Sequence, residues 1–360
     1  MLRQPAWLRD VAKNTLAKSG LRGYRKKPIF SGEGCDHMKL QTATIAVIGG
    51  SGFIGRQIVE KLARAGARLK ILTRNADKAK FLRPMGAPGQ ITLISGKATD
   101  DKVLAQVLAG VDAVVNTVGI LAEGGGQKFS SLQAELPARI GQIMAEAAAA
   151  SSSRREQARI IHLSAIGADQ KSPSRYARTK AAGEAGLLAA FPTATILRPS
   201  LVFGAGDGFF NRFAAMAVTA PALPVIGGGT NRIQPVYVGD VAEAVVAALQ
   251  DQSTMGKIYE LGGPDIITFR EAMRFVIESI GRSRMLMSVP FPVMGLAAMA
   301  MSVLPNPPVT RDQLKLLQFD NVVASDALGL KALGLTPTGM ELIVPKYLER
   351  YKPGGRFSIS

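Results

Sequence analysis

The sequence has very few of the residues that crosslink a chain or bind soft metals. Among its 360 residues there are one cysteine, Cys35, and two histidines. A disulfide needs two cysteines, and a structural zinc site takes four ligands that are mostly cysteine or histidine. The sequence therefore excludes internal disulfides and predicts no metal site. A chain without disulfides is typical of a reducing compartment.

A long, unbroken apolar run is also missing. The longest uncharged stretch, MLMSVPFPVMGLAAMAMSVLPNPPVT, covers residues 285–310. The stretch without proline, between Pro292 and Pro305, has about 12 residues, fewer than the ~20 that span a bilayer. Pro290 interrupts the segment as well. The segment is therefore not a transmembrane helix. Two alternatives stay open: a methionine-rich helix in the protein's own core, or a helix that lies on a membrane or a hydrophobic partner.

Negative charge is scarce. The chain has 27 Asp and Glu and 44 Lys and Arg, which gives a formal net charge of +17. Such a surplus suits nucleic acid, an anionic membrane or an acidic partner. The basic residues are scattered among acids, without a basic stripe that contains aromatics, so no nucleic acid partner is expected. The charge instead predicts a membrane or assembly surface.

The first part of the chain, residues 1–40, is the most basic, with nine Lys and Arg against three acids. Trp7, Leu8, Val11 and Leu16 lie close to helical spacing, and the continuous apolar core of a secretory signal is absent. This composition predicts a mitochondrial-type transit or anchoring leader. A disordered basic tail is the alternative.

From Thr44 onward, short apolar runs alternate with amphipathic or alanine-rich stretches. The runs TIAVIGG, ARLKILTR, ITLIS, VDAVVNTVG, ARIIHLS and TATILRPS predict strands, and segments such as GRQIVEKLARAG predict helices between them. Strands and helices that alternate at this interval form βαβ units. The pattern predicts an α/β fold with a Rossmann-type doubly wound parallel sheet.

The alternation of predicted strands and helices stops after Phe203, where glycine- and proline-rich stretches begin. We therefore expect a Rossmann core at 41–205 and a smaller, mostly helical C-terminal lobe at 206–360. Within that lobe, residues 232–262 return to the core, because PVYVGDVAEAVVAALQ and GKIYELGG resume the alternation.

A glycine motif follows the first predicted strand. In TIAVIGGSGFIGR, Gly49, Gly52 and Gly55 stand between an apolar strand and an amphipathic helix. Glycines there allow a tight turn and a close approach of the backbone to a pyrophosphate, which the helix N-terminus attracts. The motif predicts dinucleotide binding.

The end of the second strand favours one dinucleotide. An NAD site places an acidic residue there for the ribose 2′-hydroxyl, but this chain has Thr73 and Arg74. Arg56 follows the last motif glycine. Two guanidinium groups suit a 2′-phosphate, so the sequence favours NADP(H); two solvated surface arginines are the alternative.

Further polar residues follow the later strands. Asn116 and Gly119 end the fourth strand on the nicotinamide side, and Ser164 closes the fifth. Tyr176 and Lys180 share one helix face, so Lys180 can hold a cofactor ribose while its charge lowers the pKa of the Tyr176 phenol. Ser164 can orient a carbonyl. His162 is expected to be a packed core residue.

The motifs GGSGFIG, NTVG, YARTK, LRPSLVFG and PVYVGDVAEA resemble the short-chain dehydrogenase/reductase superfamily in its extended or atypical branch, over about residues 44–250. The runs SRYARTKAAGE, FGAGDGFFNRF, VPFPV and TRDQLKLL are similar to a narrower family, the nucleotide-binding accessory subunits of mitochondrial complex I (alpha-subcomplex subunit nine) and their bacterial relatives. The resemblance implies that Phe53, Ile54 and Pro199 also line the cofactor site.

This resemblance implies a tightly bound NADPH, a vestigial set of Ser164, Tyr176 and Lys180, and a place on the matrix side of the mitochondrial inner membrane. The partners would be other complex I subunits, with residues 285–310 against the membrane or a hydrophobic subunit. An active NADP-dependent short-chain reductase, or a sugar-nucleotide-modifying enzyme that uses the same three residues, is the alternative. A membrane-binding or redox-sensing module is a third.

Overall fold

A parallel sheet of seven strands lies at the centre of the computed structural model, which describes residues 38–150, 158–301 and 309–355. In the described residues the strands are β1 (Thr44–Ile48), β2 (Arg68–Thr73), β3 (Ile91–Ser95), β4 (Ala113–Asn116), β5 (Arg159–Leu163), β6 (Thr195–Pro199), β7 (Val202–Phe203), β8 (Ala222–Ile226), β9 (Arg232–Ile233), β10 (Val236–Tyr237), β11 (Ile258–Leu261), β12 (Ile267–Thr268) and β13 (Met285–Val289). The sheet order is β11-β6-β5-β4-β1-β2-β3, with parallel neighbours throughout. The predicted doubly wound sheet is confirmed.

The helices of the described residues are α1 (Phe53–Arg64), α2 (Asp101–Leu108), α3 (Leu136–Ala149), α4 (Arg175–Ala190), α5 (Phe210–Thr219), α6 (Val238–Gln250), α7 (Phe269–Ser279), α8 (Phe291–Ala300), α9 (Arg311–Leu316) and α10 (Met340–Leu348). Side chains at their starts explain several of these boundaries. Asp100 accepts hydrogen bonds from the first amides of α2, and Ser174 accepts one from Ala177 of α4.

Both faces of the central sheet are buried. Within β1, Ile45 and Val47 belong to one apolar cluster, whereas Ala46 and Ile48 belong to another. Helices α1 and α6 cover the first face, and α2, α3 and the end of α4 cover the second. Burial on both faces explains why the strands read as continuous apolar runs.

The chain reverses direction across the sheet between β1 and β4. From β1 it proceeds to β2 and β3 on one side, then returns to β4 on the other. In doubly wound sheets the ligand crevice lies at such a switch point, outside the carboxyl ends of the strands. Gly49 follows β1 there, and Asn116 ends the neighbouring β4.

The C-terminal part of the chain has its own apolar cluster, formed by α5, α7 and α10. Phe203, Phe210 and Phe269 are its aromatic centre; the Phe203 and Phe210 rings meet edge-on at 6.1 Å. Strand β11 joins the central sheet beside β6, and α6 packs on the sheet, as expected for residues that return to the core. The division at residues 205 and 206 remains a prediction. Residues 1–37 of the predicted leader lie outside the described residues.

The uncharged segment 285–310 begins with strand β13 and continues as helix α8, with residues 302–308 outside the described part. In α8 only Ala298 is buried, while Leu296 is 66% exposed. Helix α8 packs Phe291, Met294 and Ala298 into a small apolar cluster with Ile226 and Leu314, so the choice between a core helix and a helix on a membrane or partner remains a prediction. Among the described residues, no helix has the length and apolar character needed to cross a bilayer.

Candidate functional site

The turn between β1 and α1 requires two of its three motif glycines for steric reasons. Gly49 has a φ of +87°, and a Cβ there would lie 2.7 Å from Thr117 Oγ1. At Gly55 a Cβ would overlap the carbonyl oxygen of Gly49. Both positions exclude a side chain whether or not a ligand is bound.

Gly52 differs, because a Cβ there would meet one backbone atom and no side chain within 4 Å. It is exposed and extended (φ −75°), and a Cβ would lie 3.3 Å from its one close neighbour, the Gly49 carbonyl oxygen. Helix α1 begins at Phe53, followed by Ile54. Its start has no side-chain cap, and its first turn has no acidic residue. An open helix N-terminus beside an exposed glycine fits the pyrophosphate of a dinucleotide.

A hydroxyl group and an exposed arginine lie at the end of β2. Thr73 Oγ1 lies 3.1 Å from Ser51 Oγ of the glycine turn, a pair that sequence reasoning missed, and Arg74 is exposed. Arg56 is less free than expected: its Nη2 donates to the Ala205 carbonyl (2.7 Å), and its guanidinium lies over the Phe53 ring. Arg74 is thus the better placed of the two predicted arginines for a phosphate.

Asn116 and His162 form a buried pair where β4 and β5 end. Asn116 Nδ2 lies 3.2 Å from His162 Nδ1, and Asn116 Oδ1 accepts from the Val118 amide. Burial lowers the pKa of His162 to about 3, and the Lys180 charge acts in the same direction. A neutral imidazole that holds Asn116 agrees with the expected packed core residue.

Lys180 lies at the carboxyl end of β5. Its Nζ donates to the Leu163 carbonyl (3.0 Å), one residue before Ser164, and a Cβ at Gly119 would lie 3.3 Å from the same Nζ. Burial lowers the pKa of Lys180 to about 8, although Glu184 acts in the opposite direction. The structure therefore places Lys180 beside Gly119 and next to Ser164, while the predicted set of Ser164, Tyr176 and Lys180 remains a prediction.

Tyr176 starts the first turn of α4, one turn before Lys180. Its ring meets Phe129 edge-on at 6.2 Å. Burial raises the pKa of Tyr176 to about 12. The expectation that Lys180 lowers this pKa is wrong here, since desolvation of the phenol dominates and the Lys180 amine is directed to the Leu163 carbonyl.

Ser164 follows β5 and has a buried hydroxyl without a hydrogen-bond partner within the described residues. Its amide donates to Leu197 of β6, and Ile166 donates to the carbonyl of Pro199, the buried last residue of β6. A buried hydroxyl that lacks a partner costs free energy unless a ligand satisfies it. Ser164 is therefore the second feature, after Gly52, that fits a bound ligand at this sheet edge.

A carboxylate from the C-terminal lobe holds the start of helix α4. Asp312 of α9 accepts from the Ser174 hydroxyl (2.7 Å), the Arg175 amide (2.7 Å) and the Tyr176 amide (3.0 Å). Arg175 in turn forms an ion pair with Glu123 (2.8 Å). Sequence reasoning treated TRDQLKLL as a family signature only, because 136 residues separate Asp312 from Tyr176.

Neighbouring residues of α9 strengthen this link, which we call the α9 clasp (Asp312, Gln313 and Lys315). Lys315 Nζ donates to the Pro173 carbonyl (3.1 Å), and Gln313 Nε2 donates to the Leu121 carbonyl (3.4 Å). The clasp thus joins the lobe to both segments that flank Tyr176. In the described part of the chain, no cluster of histidine, cysteine or acidic residues can hold a metal ion.

Comparison with known proteins agrees with this geometry. The NAD dependent epimerase/dehydratase family matches residues 45–262. The crystal structure of DesIV (dTDP-glucose 4,6-dehydratase) from Streptomyces venezuelae with NAD and TYD bound has a TM-score of 0.63 at 20% identity, and the match covers 86% of this chain and 96% of that one. The matched family, together with the glycine turn, shows that this protein binds a nicotinamide dinucleotide.

Two relatives are similar to this chain over most of its length. The chain is 34% identical over 320 residues to NADH dehydrogenase (ubiquinone) 1 alpha subcomplex subunit 9, mitochondrial, of Arabidopsis thaliana, covering 86% of this chain and 78% of that protein. It is 30% identical over 250 residues to Ceramide reductase of Caulobacter vibrioides, covering 69% of this chain and 74% of that protein. The chain belongs to the NAD dependent epimerase/dehydratase family and, within it, to the family of alpha subcomplex subunit 9.

Proposed function

We propose that this protein is an NADPH-binding accessory subunit of NADH:ubiquinone oxidoreductase, which stabilises the complex without turning over a substrate. The similarity to the Arabidopsis subunit supports this role, because it extends over 86% of the chain and therefore includes most of the C-terminal lobe. On this proposal the protein is a peripheral subunit on the matrix side of the mitochondrial inner membrane, in contact with other complex I subunits.

The choice of NADPH rests on the end of β2. Arg74 is exposed, and Thr73 and Ser51 place two hydroxyl groups beside it. In an NAD site an acidic residue would accept hydrogen bonds from the ribose 2′-hydroxyl, and here that carboxylate is missing. A guanidinium with neighbouring hydroxyls suits a 2′-phosphate, while Gly52 and the start of α1 would hold the pyrophosphate.

The α9 clasp is the observation that carries the absence of turnover. Asp312 accepts from the Tyr176 amide, and the other clasp residues donate to the carbonyls of Leu121 and Pro173. With its pKa raised to about 12, Tyr176 is a weaker proton donor than a tyrosine adjusted toward neutral pH. The bound cofactor would supply hydride chemistry, whereas the α9 clasp would hold the C-terminal lobe against the start of α4.

A working NADP-dependent reductase is the second candidate. The buried, unpartnered hydroxyl of Ser164 beside Lys180 favours it, as does the similarity to Ceramide reductase. In that case Ser164 would orient a carbonyl and Tyr176 would donate a proton to its oxygen.

Native purification tests the proposed role. The chain, tagged at its C-terminus, would be extracted from its own membranes with a mild detergent, and its partners and bound nucleotide would be identified by mass spectrometry. We expect co-migration with complex I subunits and about one NADPH per chain. A chain that migrates alone would contradict the subunit role, and bound NADH would contradict the choice of cofactor alone.

A further inference from the structure

A basic cleft lies on the C-terminal lobe, and none of the residues that line it belongs to the cofactor site. Its volume is about 460 Å³. One wall is helix α7, and the other walls are the turn after α7 and the start of strand β13. The lining residues are Arg270, Arg274, Ile277, Glu278, Arg282, Ser283, Arg284 and Leu286.

Backbone carbonyls hold three of the four arginines of the cleft in place. Nε of Arg270 donates to the Gly228 carbonyl (2.9 Å), Nε of Arg282 to the Tyr351 carbonyl (3.2 Å), and Nε of Arg284 to the Ala217 carbonyl (2.7 Å). A carbonyl oxygen orients a guanidinium without cancelling its charge. Each guanidinium keeps terminal N–H groups that can donate to a further acceptor.

The positive charge of the cleft is not balanced by carboxylates of the described residues. The ion pairs found among those residues include none of the four arginines. Glu278 is the one carboxylate of the lining. Glu271 is close enough for Arg274 to lower its pKa, but its carboxylate accepts from the amide and the hydroxyl of Thr268 (2.7 and 2.8 Å). The surplus charge is therefore available to an anion from outside the chain.

The shape and lining of the cleft favour an anionic segment over a small ligand. Small-ligand pockets are enclosed and mostly apolar, whereas here only Ile277 and Leu286 are apolar, and Arg274 and Glu278 are exposed. Arg270 and Arg274 lie one helical turn apart, a rise of about 6 Å. Alternate side chains of an extended chain are spaced by about 6.7 Å, so successive carboxylates on one face of such a chain can reach both arginines.

We propose that this cleft is the docking site for an acidic segment of a partner protein, whose carboxylates pair with the four arginines. The proposal deepens the proposed subunit role and rests on it, since the partner would be another subunit of the same complex. Complementary charge at an interface determines register and specificity more than affinity. Loss of the basic charge should therefore loosen the attachment of the chain without abolishing it.

Salt-induced release of the tagged chain from the detergent-solubilised complex tests the proposal. The variant is Arg274→Gln with Arg282→Gln, which removes two charges from the cleft. Two exposed ion pairs together contribute a factor of about ten in affinity, and salt screens such pairs. The salt concentration that releases half of the chain should therefore fall about twofold.

The matched control is Arg68→Gln with Arg83→Gln, which removes the same charge from exposed positions of the core. In each pair of arginines one side chain also donates to a backbone carbonyl, Arg68 to that of Thr42 and Arg282 to that of Tyr351. The control should be released at the same salt concentration as wild type. Thermal denaturation of the purified chains checks that both variants fold.

Zero-length crosslinking tests the partner's chemistry without removing the charge. Arg274→Lys places a primary amine in the cleft, and a carbodiimide joins this amine to a carboxylate as an amide while the reagent takes up water to become a urea. We expect mass spectrometry of the assembled complex to find position 274 joined to an Asp or Glu side chain of another subunit. Wild type, which has no amine at this position, should lack that product.

Several outcomes would overturn the docking site while the subunit role stands. These are an unchanged salt release in the cleft variant, an equal shift in the control, or crosslinks from position 274 to Glu271 or Glu278 of the same chain alone. Anionic phospholipid that co-purifies with wild type but not with the cleft variant, without a crosslink to another subunit, would assign the cleft to a lipid instead. A wild-type chain that does not co-migrate with complex I would overturn the subunit role and this proposal with it.

Discussion

The two sides of the dinucleotide site differ in whether their polar groups have partners within the protein. On the cofactor side, the start of α1 lacks a side-chain cap, Arg74 is exposed, and the buried Ser164 hydroxyl has no partner within the described residues. At the start of α4, beside Tyr176, Asp312 and Glu123 pair with groups of the protein itself. The chain thus leaves polar groups unpaired where a ligand would bind, and satisfies the start of α4 with its own carboxylates.

The largest expected effects come from two glycines of the turn. Gly55 is required by the fold, and Gly52 is required by the cofactor. A Cβ at Gly55 would overlap the backbone of Gly49, so Gly55→Val should lower the free energy of unfolding by about 3 kcal/mol or more. Gly52→Val should lower it by about 1 kcal/mol, because a Cβ there would meet only the Gly49 carbonyl oxygen, at 3.3 Å. Dinucleotide affinity should nevertheless fall about 100-fold, or ~2.7 kcal/mol. Urea denaturation and calorimetry measure the two quantities.

Gly295→Val is the matched control, since a Cβ at Gly295 meets nothing within 4 Å and the residue lies in α8, outside the glycine turn. It should leave dinucleotide affinity unchanged. Retention of the cofactor by Gly52→Val would show that the pyrophosphate does not approach this turn, and the assignment of the cofactor side would then be wrong.

A smaller effect is expected on the other side of the site. Asp312→Ala removes the acceptor of two first-turn amides of α4 and of the Ser174 hydroxyl. The free energy of unfolding should fall by about 2 kcal/mol, while dinucleotide affinity changes less than about threefold. Urea denaturation of the dinucleotide-free protein measures the first quantity, and calorimetry measures the second.

The exposed carboxylate Asp326 provides the control, and Asp326→Ala should alter stability by less than about 0.5 kcal/mol. If Asp312→Ala lost affinity for the dinucleotide as strongly as Gly52→Val, the two sides of the site would not be independent. The comparison between them would then fail.

Sequence patterns predicted the parts of this structure that depend on local order. The strands and the glycine turn follow from apolar runs and from spacing along a few neighbouring residues. The placement of Lys180 beside Gly119 and next to Ser164 was also predictable, because the carboxyl ends of neighbouring parallel strands share one edge of a sheet.

The remaining features depend on contacts between distant residues. Asp312 reaches Tyr176 across 136 positions, and no local pattern marks that pairing. The pKa of Tyr176 depends on burial beneath segments such as the one that carries Phe129, so the expected influence of Lys180 did not decide it. Arg56 was expected to be free for a phosphate, but the Ala205 carbonyl accepts one of its N–H groups.

Tyr176→Phe has the smallest expected effect and tests the absence of turnover most directly. In cells that require this chain for complex I, the variant should restore assembly and NADH:ubiquinone electron transfer to within about twofold of wild type. Gly52, Arg74 and Lys180 would still hold the cofactor, and the α9 clasp binds the Tyr176 amide rather than its phenol oxygen. Native gels and respiration assays on the same membranes measure both quantities. A fall of about 100-fold or more in an NADPH-dependent carbonyl reduction, with assembly intact, would contradict the account, since that is the loss expected when a proton donor is deleted.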